Sequence, residues 1–385
     1  MDSLNNRYDY IIIGAGASGL QMAEALTERA GFRILLIDGE TAETPERTWC
    51  FWAEPHSLYA GWAHKTWSEV EFKGPSLVQI TPLDEVHYVM LQSRDFRRRM
   101  LERFQGKVDV VSGRVNAMNE GEEVVEVVLE TGERFFGSQV FSSVWRREDV
   151  AHAHEEPWIE QHFIGWFVET DEEVFDEQRF VMMDFSSERH GRTGFMYVLP
   201  LSGRSALLEY TVFSKDILND EAYEQEIRDY LVGLNVGSYR ITGKERGSIP
   251  MTTYPFHHRN TARIHYIGTA GGWTKASTGY TFQQSAKQAR QMLECLATDP
   301  HSSYTPSRWR SRFFDRVMLD LLSHRNDAGA VFFESLYRHH SLDRILRFLA
   351  EQTSWWEDVI IILRSKPRAL LIQSVWRVLF SAEYK

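Results

Sequence analysis

At 385 residues, with 43% hydrophobic and 25% charged side chains, the chain has room for two or three globular domains and a large core. Its net charge of −11 argues against a nucleic-acid partner, because phosphate backbones select basic surfaces. Two cysteines, Cys50 and Cys295, lie far apart without ligand spacing, so neither a disulfide framework nor a metal site is indicated and a reducing compartment is favoured. The opening residues are polar and run straight into an apolar stretch, leaving no room for a signal peptide. No run reaches the roughly eighteen uninterrupted apolar residues of a membrane span. The expected location is cytoplasmic. An aromatic fraction of 13%, with 12 Trp, calls for either dense packing or a large apolar ligand.

In chain order, Tyr10-Ile11-Ile12-Ile13 predicts a buried strand, broken by Gly14-Ala15-Gly16-Ala17-Ser18-Gly19 and followed by helical spacing over 20–30. A second apolar run, Ile34-Leu35-Leu36-Ile37, ends on Asp38. Strand, glycine turn, helix, strand and terminal acid make a dinucleotide site. Gly14 permits the turn, Gly16 lets a pyrophosphate approach the backbone, Gly19 lets helix and strand pack, and Asp38 accepts from ribose hydroxyls.

The stretch Pro45-Glu46-Arg47-Thr48-Trp49-Cys50-Phe51-Trp52-Ala53-Glu54 reads in two ways. Its aromatics are core residues among solvated charges, or Arg47 sits near cofactor phosphates while the aromatics wall a ligand pocket. A helix is predicted from Ser93, which can cap it, with Arg94 at its head. Apolar runs at 108–111, 124–129 and 135–136 read as a β-meander, and 139–144 as a strand returning to the parallel sheet.

Over 161–214 four strands are predicted, at 163–168, 180–185, 195–199 and 205–213, separated by polar clusters such as 186–191. They form a largely antiparallel substrate domain. An amphipathic helix over 220–234 and a strand over 239–249 follow. A strand at 263–267 then meets Gly268-Thr269-Ala270-Gly271-Gly272, and Thr278-Gly279-Tyr280 precedes a helix to about 297. Two glycine-rich strand-to-helix turns suit FAD better than NAD, since both offer N–H groups to one extended ligand.

Beyond Pro306 only helices are predicted, over 309–322, 328–338, 342–350, 356–363 and 369–380. Residues 303–385 carry thirteen Lys and Arg against nine Asp and Glu, a basic balance unlike the rest. These helices cap the fold, and their Trp, Phe, Leu and Arg also suit a membrane interface.

The chain resembles the flavoprotein-type lycopene cyclases of carotenogenic bacteria and plants. The resemblance rests on Asp9 through Leu20, on Leu35-Leu36-Ile37-Asp38, on Arg47-Thr48-Trp49-Cys50-Phe51-Trp52, on Leu207-Leu208-Glu209-Tyr210-Thr211 and on Ala276-Ser277-Thr278-Gly279-Tyr280. Two departures stand out: Thr269 replaces the aspartate usual after Gly268, and Tyr210 replaces the second acid of a Phe-Leu-Glu-Glu-Thr motif.

The resemblance implies an α/β fold: an FAD-binding Rossmann-like domain over 1–160 and 238–302, an antiparallel-sheet substrate domain over 161–237, and a helical region over 303–385. It implies FAD contacts from Gly14, Ala15, Gly16, Ser18, Gly19, Asp38, Arg47, Arg94, Val115, Thr269, Ala270 and Gly279. The implied reaction closes the linear ends of lycopene, or a related linear carotene, into β-ionone rings to give γ- and β-carotene. It needs reduced FAD, with NAD(P)H as an electron source, and the enzyme is expected peripherally on the inner face of the cell membrane. Ring closure requires an acid, a dry pocket and a base. Glu209, flanked by apolar residues on a strand, is the expected acid, with Glu54 a weaker supporting carboxylate and Trp49, Phe51, Trp52 and Tyr280 as pocket walls. Two other classes fit the same architecture: an NAD(P)H-dependent monooxygenase on an apolar substrate, and a flavin or carotenoid carrier without turnover.

Overall fold

The Arg7–Ile13 strand pairs in parallel with Ile34–Asp38 on one side and Arg134–Ser142 on the other. Being central, it is covered on both faces. Ile12 packs with Leu20 and Ala23 beneath the Ala17–Thr27 helix, whereas Ile11 and Ile13 pack with Val127 and Phe135 on the opposite face. The structure, a computed structural model, describes residues 6–39, 45–54, 56–150, 156–186, 191–299, 304 and 309–380. The polar positions 187–190 and the boundary at Pro306 lie outside the described residues.

The sheet around this strand runs Asp109–Ser112, Ile34–Asp38, Arg7–Ile13, Arg134–Ser142, Val125–Leu129, Val115–Glu120, with Ile264–Tyr266 also pairing Arg134–Ser142. Asp109–Ser112 therefore belongs to the parallel part, paired with Ile34–Asp38, and not to a meander. The expected last meander strand and the returning strand are one element, since Arg134–Ser142 hairpins with Val125–Leu129 and then runs parallel to Arg7–Ile13. The antiparallel crossover is present, built from different strands than the pattern suggested.

A second seven-stranded sheet has the order Tyr239–Thr252, Trp158–Thr170, Ser205–Ser214, Thr193–Ser202, Arg179–Asp184, Glu69–Lys73, Val78–Pro82. It extends beyond the 161–237 expected of a substrate domain, drawing edge strands from both flanking parts of the chain. Long-range pairing of this kind leaves no local signal. A small third sheet joins Thr48–Ala53, His87–Gln92 and Lys65–Trp67.

Strand alternation decides what the second sheet presents to each side. From Ser205–Ser214, Leu208, Tyr210 and Val212 pack with Tyr223 and Ile227 of the Asp220–Gly233 helix. Leu207 and Phe213 face the other way, with Phe332 of the C-terminal helices.

Those helices span Trp309–His324, Gly329–His339, Leu342–Leu349, Trp355–Arg364 and Arg368–Phe380. Several of their arginines turn inward: Arg377 pairs with buried Asp320 at 2.6 Å and Arg310 with Asp358 at 3.0 Å. Buried Lys275 holds Asp315 at 2.9 Å and Glu351 at 3.4 Å, joining the helices to the second glycine turn.

Gly19 marks the tightest approach of helix to strand, for a Cβ there would overlap the Gly14 carbonyl oxygen. Gly19→Ala is expected to lower the unfolding free energy by about 1–3 kcal/mol through overpacking. Gly233→Ala, with nothing within 4 Å of the added carbon, serves as the control and should not lower it. Thermal or urea unfolding of both variants checks this.

Candidate active site

The first glycine turn opens into a cavity of about 1200 Å³ lined by Gly14, Ala15, Gly16 and Ser18. Gly14 has φ +95°, which excludes an ordinary side chain, and Gly16 faces open space, with nothing within 4 Å of a Cβ. The helix N-terminus beside them is thus clear to receive an anion. Asp38 is 3% exposed; its Oδ1 accepts from the Ala15 N–H at 3.2 Å, fixing the turn. Arg97 Nη2 lies 2.6 Å from Oδ2 as an ion pair, yet Oδ2 has no aligned hydrogen-bond donor. A buried acceptor of this sort fits a ribose hydroxyl.

Val115, Thr269 and Gly279 also reach the cavity wall, and Ala270 is buried just behind it. The Thr269 hydroxyl hydrogen bonds with that of Thr274 at 3.1 Å. It stands where an acid would otherwise be. Arg47 lines the cavity as well, while Arg94 is exposed in the first turn of the Ser93–Phe104 helix and off the wall. The arginine that meets Asp38 is Arg97, three residues further along the same helix. Ser93 does not cap that helix; its hydroxyl accepts from the Arg47 N–H at 2.9 Å, clamping the Arg47 segment to the helix start.

At the far side of the cavity two carboxylates converge. In the second sheet Gly165 is paired on one side with Glu209 and on the other with Glu245. A Cβ at Gly165 would sit 3.3 Å from Glu245 Cγ and 3.5 Å from Glu209 Cβ, so the missing side chain leaves the space between them. Both acids line the cavity. Glu209 is 7% exposed and accepts from the Thr211 hydroxyl at 2.6 Å; Glu245 accepts from the Thr48 hydroxyl at 2.8 Å.

Burial pushes the Glu209 carboxyl above its ordinary range, the neighbouring Glu245 charge pushes it further, and the Thr211 hydroxyl opposes both. Burial raises Glu245 too, against hydrogen bonds from the side chain and backbone of Thr48 that favour its ionised form. Thr48 gives Glu245 two donors where Thr211 gives Glu209 one, an asymmetry that favours the ionised form at Glu245. Around the pair stand Cys50, Tyr88, Tyr197 and Tyr280, each kept protonated by burial. Tyr197, paired directly with Glu209, hydrogen bonds to the Tyr88 hydroxyl at 2.9 Å.

The profile described as "Lycopene cyclase protein" matches residues 9–374. The chain belongs to the lycopene cyclase family. A chloroplastic neoxanthin synthase of Solanum tuberosum is 23% identical over 321 residues, covering 75% of this chain and 60% of its own length. A chromoplastic capsanthin/capsorubin synthase of Citrus sinensis is 23% identical over 328 residues, covering 76% and 60%. The cyclase-family chain thus spans less than two thirds of these relatives.

Among solved structures, a geranylgeranyl bacteriochlorophyll reductase-like protein from Thermoplasma acidophilum has a TM-score of 0.60 at 13% identity, over 97% of this chain and all of that one. Halogenase PltM in complex with phloroglucinol and FAD has a TM-score of 0.60 at 10% identity, over 98% and 94%. The fold is accordingly that of the FAD-binding flavoproteins, an α/β nucleotide domain with an antiparallel sheet and C-terminal helices.

The family's Arg-Thr-Trp-x-Phe-Trp stretch divides between the site and the core. Thr48, Trp49 and Cys50 line the cavity, as does Tyr280. Phe51 instead stacks on Phe282 with ring centroids 4.4 Å apart, and Trp52 packs on Tyr88 at 4.7 Å; both are buried away from the wall. Glu54 is exposed beyond the end of its strand and does not line the cavity. The second carboxylate on the wall near Glu209 is Glu245, in a strand of alternating polar residues whose pattern does not single it out.

A carboxyl whose folded pKa is raised holds its proton after the unfolded chain has released it. Stability then falls as pH rises from the ordinary value of 4.5 through the raised one. Glu209→Gln removes that contribution, so the variant should lose less stability than the parent as pH is raised from about 5 to 8. Thermal unfolding across that window is the measurement. Equal slopes would mean the carboxyl is not proton-bound in the folded state.

Proposed function

We propose that the chain is a lycopene cyclase, closing the linear ends of lycopene or a related linear carotene into β-ionone rings to give γ- and β-carotene, with bound FAD in its reduced form and no net redox change. The observation that carries this reading is Glu209: a buried carboxyl, pushed above its ordinary range by burial, in an apolar cavity continuous with the first glycine turn. Gly14, Ala15, Gly16, Ser18, Gly19 and Asp38 would hold the FAD, with Arg47, Val115, Thr269 and Gly279 on the same wall, Ala270 behind it and Arg97, in place of the exposed Arg94, steadying Asp38. Reduced FAD, maintained by NAD(P)H, supplies negative charge that stabilises a carbocation.

The side chains account for the acid step. Glu209 gives its proton to the CH carbon of the terminal alkene, leaving a tertiary cation that the inner alkene attacks to close the ring. Trp49 and Tyr280 present aromatic faces to positive charge, and the apolar walls exclude water that would trap it.

The cavity reaches Phe348, Leu349 and Ile362 of the C-terminal helices. The outer faces of the last two helices expose Trp356 at 63%, Leu363 at 65%, Trp376 at 61% and Phe380 at 61%, beside exposed Arg364, Lys366 and Arg368. Among the described residues no helix is long and apolar enough to cross a membrane. Aromatic and apolar side chains rimmed by cations suit the anionic inner face of the cell membrane, from which an insoluble carotene would enter.

Cells accumulating lycopene should turn from linear to cyclised pigments when they express the parent. Glu209→Gln should retain flavin but lose cyclisation by about a hundred- to ten-thousand-fold. Pigment chromatography and the flavin spectrum check both, and parent-rate cyclisation by the variant would sink the acid assignment. In flotation with vesicles containing anionic lipid, the parent should rise with the lipid and a Trp356→Glu/Leu363→Glu/Trp376→Glu variant should remain below. Equal flotation would remove the membrane argument.

A further inference from the structure

We infer that Glu245 is the base that removes the ring proton, making Glu209 and Glu245 an acid and base pair facing each other across Gly165. The inference rests on the cyclase reading above and extends it to the step that ends the reaction. Neither the acid motif nor any glycine turn contains this residue.

Placement is the first argument. Glu209 and Glu245 share register with Gly165 on opposite neighbouring strands, so they point to the same face of the sheet and into the same cavity. Strands lie about 4.8 Å apart, which separates the two backbones by roughly 9.5 Å. A Cβ at Gly165 would press on the walls of the gap, meeting Leu207 Cδ1 at 2.9 Å as well as both glutamates.

Protonation state is the second. A base must be ionised while its partner is not, and the two carboxylates differ in their donors. Glu245 accepts from Thr48, whose strand brings a hydroxyl to 2.8 Å, whereas Glu209 keeps its proton under burial and the charge of Glu245. The other titratable groups facing the pair are Glu46, from the segment before Thr48, Cys50, Tyr88, Tyr197 and Tyr280. The thiol and the phenols stay neutral, so none of them is a base near neutral pH.

The step balances. The Glu209 O–H bond breaks and the terminal alkene's π pair forms the new C–H bond. The inner alkene's π pair forms the ring C–C bond and leaves a tertiary ring cation. Glu245 takes a proton from a ring carbon next to that cation, and the C–H pair becomes the ring double bond. One proton enters, one leaves, and no electrons are exchanged. The proton then lies on Glu245 and returns to Glu209 by exchange with solvent or between the pair.

The test uses the flavin-loaded, reduced enzyme with lycopene in vesicles made up in D₂O. Glu245→Gln should cyclise about a hundred- to ten-thousand-fold more slowly, yet return lycopene carrying deuterium at the terminal alkene CH, because protonation and its reversal through Glu209 remain. Glu209→Gln should show neither product nor exchange. In the parent, the rate should fall at low pH as Glu245 is protonated and at high pH as Glu209 ionises. Thr48→Val removes a hydrogen bond to ionised Glu245 and should move the low-pH limb upward by about one unit while leaving the high-pH limb in place.

Parent-rate cyclisation by Glu245→Gln overturns the inference while leaving the cyclase reading standing. So does a low-pH limb that Thr48→Val does not move, which decides the matter even if Glu245→Gln fails to fold. A parent that cyclises no linear carotene overturns the cyclase reading itself.

Discussion

Two carboxylates on one apolar face cannot both be ionised without a large desolvation cost, and the rest of this structure is arranged around that constraint. Glu209 and Glu245 enter the cavity from strands that flank Gly165. Thr211 and Thr48 each give one of them a hydroxyl hydrogen bond, and Cys50, Tyr88, Tyr197 and Tyr280 line the same cavity. A proton on one carboxyl relieves the repulsion between the two. Two carboxyls that share one proton offer a donor oxygen and an acceptor oxygen at two different places on the cavity wall.

Keeping that proton on a carboxyl takes apolar surroundings, and the C-terminal helices supply part of them. Phe332 and Leu349 reach the cavity wall from this region, while Lys275, beside the second glycine turn, is locked to Asp315 and Glu351 of the same region. Breaking one partner of a buried ion cluster leaves an uncompensated charge, so the helices are held to the cofactor loop by a contact that is costly to open. Closure of the apolar end and order at the cradle are thus physically joined. The arginines that interleave with apolar residues in this region serve two purposes: Arg310 and Arg377 tie helices inward, and Arg364 and Arg368 remain outside.

What the sequence made legible follows from how local each signal is. Gly14, Gly16, Gly19 and Asp38 sit within one strand, turn, helix and strand, so spacing alone located the tight turn, the close helix packing and the acid beside them. The strands from 161 to 214 were legible for the same reason, whereas the first helix lies three residues earlier than its apolar spacing suggested and Ser93 does not cap the helix it opens. Arg97 was not, because selecting it over Arg94 depends on how the helix is rotated against Asp38. Phe51 and Trp52 look like pocket aromatics beside Trp49, yet pairing with His87–Gln92 and packing on Phe282 and Tyr88 send them to the core. Glu245 lies in a strand whose burial alternates weakly, and only its long-range register with Trp158–Thr170 gives it meaning.

That register also resolves the departure in the acid motif. In Leu207-Leu208-Glu209-Tyr210-Thr211 the side chains alternate between faces, and Tyr210 is fully buried against Tyr223 on the helix side of the sheet. A second glutamate at that position would point away from the cavity as Tyr210 does, so replacing it with tyrosine removes no carboxylate from the reacting face. The second acid of the site is to be sought on a neighbouring strand at the level of Glu209. Across Gly165, at that level and on that face, the residue is Glu245.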